Sequence, residues 1–280
     1  MGLPNLAIVA GSGSLPQQLA EHCQSNGRGY HVIHFEGIEL DWVAGHPVIP
    51  ARFEKPGKMF KALQYLNCTQ VVFAGGMKRP KLNPLKFDLK LMKLAPTLLP
   101  SLKNGDDSAL RMIAKIFENE GLEIIAAHEI IEELFVTTGT NTSIKPNDAD
   151  LSDIKRGLEI LDSISSADIG QACIVAQGLC LGVETIQGSD ALLTFVSTTK
   201  QRFLDSKIDG RGVIIKAPKR GQDQRLDMPT IGPNTVQMVY DAGLAGIALT
   251  ANGVQVLDHQ DCIKLANSLG IFITVVENNE

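Results

Sequence analysis

The 280-residue chain is poor in aromatics, with one tryptophan and three tyrosines, and it lacks any Cys-x-x-Cys pair. Its five cysteines, Cys23, Cys68, Cys173, Cys180 and Cys262, are odd in number and scattered, with no histidine at metal-ligand spacing. That argues against a disulfide framework and a zinc site, and suits a reducing compartment. No apolar run approaches the ~20 residues needed to cross a bilayer, and the N-terminus enters a strand-like stretch without signal-peptide regions, so a cytoplasmic location is expected. Positive charge is not in excess either: the net charge of -5 argues against a dedicated nucleic-acid binder. The six histidines fall on separate segments and no G-x-S-x-G elbow occurs, so a Ser-His-Asp site has no support.

What remains is an ordinary soluble composition, 44% apolar and 20% charged, on a chain long enough for two domains. Leu6 to Ala10 is a short apolar run closed by Gly11, followed by Leu15, Leu19 and Cys23 on one helical face. Tyr30 to Glu36, Val71 to Ala74 and Leu122 to Ala127 read as further strands, with helices at Lys55 to Leu66, Leu85 to Leu94 and Ser108 to Glu120. This alternation predicts a parallel sheet covered on both faces. Thr137 to Asp148 is rich in Thr, Asn, Gly and Pro and marks a boundary. Beyond it the pattern predicts a helix over Asp150 to Asp162, a hairpin turning at Gln177-Gly178, a helix over Asp190 to Phe203, and a helix from Asn234. Strands are expected at Gly212 to Lys216, Gly246 to Thr250 and Val254 to Leu257, with Ile271 to Val276 closing the second sheet. The expected fold class is α/β with two domains: an N-terminal Rossmann-like parallel sheet (1–137), a linker (138–148) and a C-terminal α/β catalytic domain (149–280).

Several loops could carry chemistry. Gly11, Ser12 and Gly13 sit where a strand feeds a helix, a place suited to a phosphate or to a plain tight turn. Pro16 departs from the dinucleotide fingerprint, although Glu36 at the second strand's end could hold a ribose hydroxyl. Gly75, Gly76 and Lys78 occupy the corresponding end of the next strand. Asp106 and Asp107 open a helix that needs only one cap, which leaves one acid for ligand or metal. Lys86, Lys90 and Lys93 form a stripe on an otherwise apolar helix: a buried helix with a solvated edge, a wall for lipid chains, or a contact with an anionic membrane surface. Glu184 ends a strand and could bind a cation.

The segment KAPKRGQDQRLDMPTIGPNT (216–235) crowds four basic residues, two aspartates and three prolines together. Asp223 and Asp227 suit Mg2+, which prefers a few carboxylates and phosphate oxygens, while Lys216, Lys219, Arg220 and Arg225 could neutralise phosphate charge. Gln222 and Thr230 are candidates for substrate contact in the same stretch. The bland alternative is a salt-bridged loop.

Taken with IVAGSGSLP (8–16), FAGGMKRP (73–80), NGDDSALRMIAKIFENEG (104–121) and GQACIVAQGLCLGVETIQGSDALL (170–193), that stretch resembles the LpxI-type UDP-2,3-diacylglucosamine diphosphatases of lipid A synthesis. The resemblance spans nearly the whole chain. It implies two α/β domains with the lipid substrate between them, and Mg2+-dependent hydrolysis of UDP-2,3-diacylglucosamine to 2,3-diacylglucosamine 1-phosphate (lipid X) and UMP. It further implies an essential aspartate in the Gln-Asp-x-Arg-x-Asp-x-Pro motif, here Asp223 or Asp227, and leaves peripheral contact with the inner membrane open. Gln187 departs from the glutamate expected there and is left out of the metal set of Asp223, Asp227 and Glu184. The rival readings are an NAD(P)-dependent oxidoreductase and a non-catalytic nucleotide-sugar or lipid-binding protein.

Overall fold

The structure is a computed structural model that describes residues 3–102, 106–205 and 207–277, the side chains of residues 106 and 107 excepted. It separates into two compact units. Unit 1 comprises Met1–Glu132 with Asp223–Asp227, and unit 2 comprises Glu133–Gln222 with Met228–Glu280.

Unit 1 is built on five parallel strands: β1 (Asn5–Ala10), β2 (Tyr30–Phe35), β3 (Val48–Ala51), β4 (Cys68–Ala74) and β5 (Glu123–Ile124), in the order β3-β2-β1-β4-β5. The LAIVA run lies at the centre because only a strand covered on both faces can bury so continuous an apolar sequence. Val48–Ala51 has no counterpart among the expected strands. Its Pro50 weakens the signal, and the strand sits at the sheet edge, where a missing N–H is tolerated. Helices α1 (Leu15–Ser25), α2 (Pro56–Tyr65), α3 (Leu89–Ser101) and α4 (Asp106–Asn119) complete the unit. Phe117 of α4 meets Phe60 and Phe73 edge to face at 5.0 and 5.2 Å between ring centroids, tying α2 and β4 into one core.

The expected helix over Leu85 to Leu94 is displaced. Pro84–Lys86 is a single 3-10 turn and α3 begins at Leu89, because Asp88 caps it: Oδ1 accepts from the Leu91 N–H at 2.8 Å, and Oδ2 accepts from the Gly57 N–H at 2.8 Å. The expected lysine stripe is therefore broken. Lys86 falls in the turn, while Lys90 pairs with Glu120 and lies over the Phe60 ring.

Unit 2 holds a six-stranded mixed sheet, in the order β6-β13-β11-β9-β7-β8. Its strands are β6 (Gly139–Thr140), β7 (Ala172–Ala176), β8 (Leu179–Val183), β9 (Val213–Lys216), β11 (Gly246–Thr250) and β13 (Phe272–Val276). The β7–β8 hairpin turns at Gln177 and Gly178, both with positive φ, as a tight two-residue turn requires. β13 lies inside the sheet, since Gly139–Thr140 pairs antiparallel along its outer side. β10 (Thr230–Ile231) and β12 (Gln255–Val256) form a separate parallel pair, so the strand expected near Val254 leaves the main sheet. Helices α5 (Asp148–Ser165), α6 (Ser189–Thr199), α7 (Pro233–Asp241) and α8 (His259–Leu269) cover it. Helix α8 lies outside the expected set, because its buried face rests on the small residues Cys262 and Ala266. Among the described residues no helix is long and apolar enough to cross a membrane.

Candidate active site

In unit 1 the ends of β1 and β4 are stitched together. The Gly11 N–H donates to the Ala74 carbonyl at 2.8 Å, the Ser12 N–H to the Gly76 carbonyl at 2.8 Å, and the Gly76 N–H to the Ser12 carbonyl at 2.9 Å. The approach is so close that a Cβ on Gly75, which has φ +82°, would lie 2.3 Å from the Ser12 carbonyl oxygen, and one on Gly11 would lie 2.5 Å from the Gly76 oxygen. These glycines are required by backbone crossing, and the Gly11 and Ser12 amides are spent within the fold. Gly13, at φ +95°, begins the turn into α1. β1 and β4 are adjacent while their crossovers run to opposite sides of the sheet, the place where open α/β sheets bind ligands. A polar cavity of about 700 Å³ is lined there by Ser12, Glu36, Arg52, Gly76, Lys78 and Arg79 among others. Glu36 is ion-paired to Arg52.

A second cavity of unit 1, about 340 Å³, is apolar. Phe60, Phe73 and Phe117 line it together with Leu91, Leu94, Leu98 and Leu102 on one face of the α3 segment and Leu110 and Ile113 of α4. Among the described residues its polar lining is Arg52, Lys78, Arg79, Asp227 and backbone around Gly75-Gly76. Leu226 enters the unit 1 core and brings the short Asp223–Asp227 segment with it. Within that segment the Asp227 N–H donates to the Asp223 carbonyl at 3.3 Å and the Arg225 side chain grips Asp223 twice, Nε to Oδ1 at 3.0 Å and a terminal nitrogen to Oδ2 at 2.7 Å. Arg225 also reaches Glu118 at 3.4 Å. The hydrogen bond from Arg225 holds the Asp223 carboxyl below the usual aspartate range, and Asp223 raises the Arg225 guanidinium in return.

Other candidates fall in unit 2. Lys216, at the end of β9, is 8% exposed; its Nζ donates to the Ser189 hydroxyl and the Thr230 carbonyl, both at 2.9 Å. Ser189 donates to Glu184 Oε1 at 2.7 Å, and Glu184 Oε2 accepts from the Gln171 N–H at 3.0 Å. Ser189 is the link between Lys216 and Glu184 that motif reading passed over, since a lone serine at the start of a helix carries no signal of a lysine 27 residues away. Lys219 pairs with Asp168, and its N–H donates to the Gln222 side chain at 3.0 Å. Arg220 pairs with Asp162. Asp106 and Asp107 start α4, and their side chains lie outside the described residues.

The structure thus brings Gly11, Ser12, Gly75, Gly76 and Lys78 together in unit 1, where Asp223, Arg225 and Asp227 also belong. It gathers Lys216, Glu184 and Thr230 in unit 2. Among the described residues no group of three or more His, Cys, Asp or Glu side chains could hold a metal ion. The donor set fits a hard cation only in the mode of Mg2+, through one or two carboxylates completed by phosphate oxygens and water. Asp223 and Asp227 lie four residues apart in unit 1, where Arg225 engages both Asp223 oxygens, and Glu184 has both oxygens engaged within unit 2.

A parallel sheet with a glycine-lined crossover, a mixed second sheet and a charged segment beside an apolar cavity define a two-domain α/β protein. Models of the LpxI N-terminal and C-terminal domains match residues 5–134 and 137–274, and the chain belongs to the LpxI family. It is 36% identical to a Caulobacter vibrioides protein named UDP-2,3-diacylglucosamine pyrophosphatase LpxI, over 98% of each chain. A solved structure of CobK precorrin-6A reductase aligns over 99% of this chain and 89% of that one, at 12% identity and a TM-score of 0.31, a likeness too slight to carry an argument.

Proposed function

We propose that this protein hydrolyses the diphosphate bond of UDP-2,3-diacylglucosamine, adding water to release UMP and 2,3-diacylglucosamine 1-phosphate. The observation that carries this reading is the apolar cavity of unit 1, whose charged lining among the described residues is Lys78, Arg79, Arg52 and Asp227. Acyl chains take the leucine and phenylalanine walls, and the cations meet the phosphates. The full-length similarity to a relative named for this activity supports it.

The enzyme is Mg2+-dependent in this proposal. Asp223 and Asp227 would hold the ion, which would supply positive charge against the diphosphate oxygens. Arg225 lowers the Asp223 carboxyl below its ordinary range and restrains its orientation. Lys78 and Arg79 supply positive charge for the phosphates, and Gly75, Gly76 and Gly13 allow backbone to approach the ligand closely. Purified protein given UDP-2,3-diacylglucosamine and Mg2+ should yield UMP and lipid X, followed by mass spectrometry; binding without product would reduce the protein to a carrier. Undiminished turnover in EDTA would remove the metal from the proposal.

A further inference from the structure

Helix α3 has two apolar faces, and only one has a protein partner. Leu91, Leu94 and Leu98 line the apolar cavity. Leu89 and Met92, three residues apart and so on one side of the helix, are 78% and 60% exposed, and Leu85 in the preceding turn is 95% exposed. Large aliphatic side chains this exposed and this close together are unusual on a soluble surface. Along the segment that carries them the charge is mostly of one sign, although Lys90 is paired with Glu120 and the cavity lined by Lys81 and Lys86 also holds Glu36, Glu39 and Glu54. Residues 77–102 contain Lys78, Arg79, Lys81, Lys86, Lys90 and Lys93 against the single acid Asp88, six minus one, an excess of five positive charges on a chain whose net charge is -5. Asp88 has both carboxylate oxygens committed to backbone N–H groups. Lys81, Lys86 and Lys93 are exposed.

We infer that the outer face of α3 and the turn before it form a membrane-docking edge, with Leu85, Leu89 and Met92 entering the boundary of an anionic phospholipid leaflet while Lys81, Lys86 and Lys93 meet its headgroups. Exposed aliphatics flanked by lysines match the pattern of interfacial helices, where apolar burial and attraction to anionic lipid act together. A protein partner would also accept the leucines, and a change confined to self-association would reveal it. The inference deepens the proposed function: the same helix would face the leaflet on one side and the acyl cavity on the other, so a chain leaving the bilayer has an apolar path along α3.

The test is cosedimentation of the full-length protein with vesicles of phosphatidylglycerol and phosphatidylcholine, compared with phosphatidylcholine alone. Binding to the anionic vesicles is expected, weakened by added salt. Leu89→Asp combined with Met92→Asp should lower the partition coefficient about tenfold or more, and Lys93→Glu should lower it less. Thermal unfolding checks that these exposed substitutions leave the fold intact. Failure of the parent protein to bind, or equal binding by the variants, overturns the docking edge; so does a change confined to self-association in light scattering. Hydrolysis of detergent-dispersed substrate should be unchanged in the variants. Absence of turnover in the parent protein would instead count against the proposed function, leaving vesicle binding to be judged separately.

Discussion

Two groups of opposite charges in this molecule use similar residues for different ends. In unit 1, Arg225 holds Asp223 with Arg225 45% exposed and Asp223 20% exposed. In unit 2, Lys216 is buried under Ser189, the Thr230 carbonyl and, through Ser189, Glu184. Water screens the first pair, so it contributes only about 0.5–1 kcal/mol to folding and can exchange its partners for phosphate or a cation. The second is cut off from solvent, where an unmet donor or carbonyl is expensive, and so it rigidifies the end of β9. Exposure, more than residue type, separates a charged pair that solvent weakens from one that fixes the fold.

The comparison can be broken most sharply at the exposed segment. Asp223→Ala and Asp227→Ala should each lower kcat by about 100-fold or more while shifting Tm little, measured by product formation and calorimetry; an equal loss from the exposed Asp148→Ala would remove the distinction. Lys216→Met should do the reverse in kind, costing about 3 kcal/mol of stability in urea unfolding because it strands the Thr230 carbonyl and the Ser189–Glu184 pair. Unchanged stability would show that burial is not what governs this network. Asp153→Ala, also in unit 2, should cost about 2 kcal/mol. Its buried carboxylate caps the hairpin turn by accepting from the Gln177 N–H at 3.0 Å and the Gly178 N–H at 2.7 Å, so an aspartate of neutral appearance in the sequence is a structural one.

The smallest effect is the most diagnostic of sign. Asp223's folded pKa is depressed, so the stability its pair supplies is present at neutral pH and is lost as pH falls below about 4 through that folded-state value. Unfolding free energy measured against pH should therefore show an acid limb that shrinks by no more than about 1 kcal/mol in Arg225→Met. A larger loss would mean the pair carries more of the fold than its exposure allows.

Legibility followed the same divide between local and distant causes. The central run Leu6–Ala10, the hairpin at Gln177-Gly178 and the strand Gly246–Thr250 were readable because a continuous apolar run or a turn residue is a local property. Helix α3 was misplaced by four residues because an apolar stretch hides its own start, and only Asp88 marks it, through contacts that include Gly57 on a different helix. Among candidate site residues, the types were legible while the partners were not: Lys216 stood out as a cation, Ser189 did not stand out at all.

By itself the sequence determined the α/β class, the two-domain scale and which short stretches carry charge and glycine, since those depend on composition and spacing along the chain. Only tertiary structure decided how those stretches divide. Leu226 is buried in the core of unit 1, so Asp223–Asp227 groups with a domain more than ninety positions earlier in the chain while Lys216 and Thr230 remain in unit 2. A motif continuous in sequence is thereby divided between two cores, because burying one leucine is a long-range free-energy gain that no local pattern encodes.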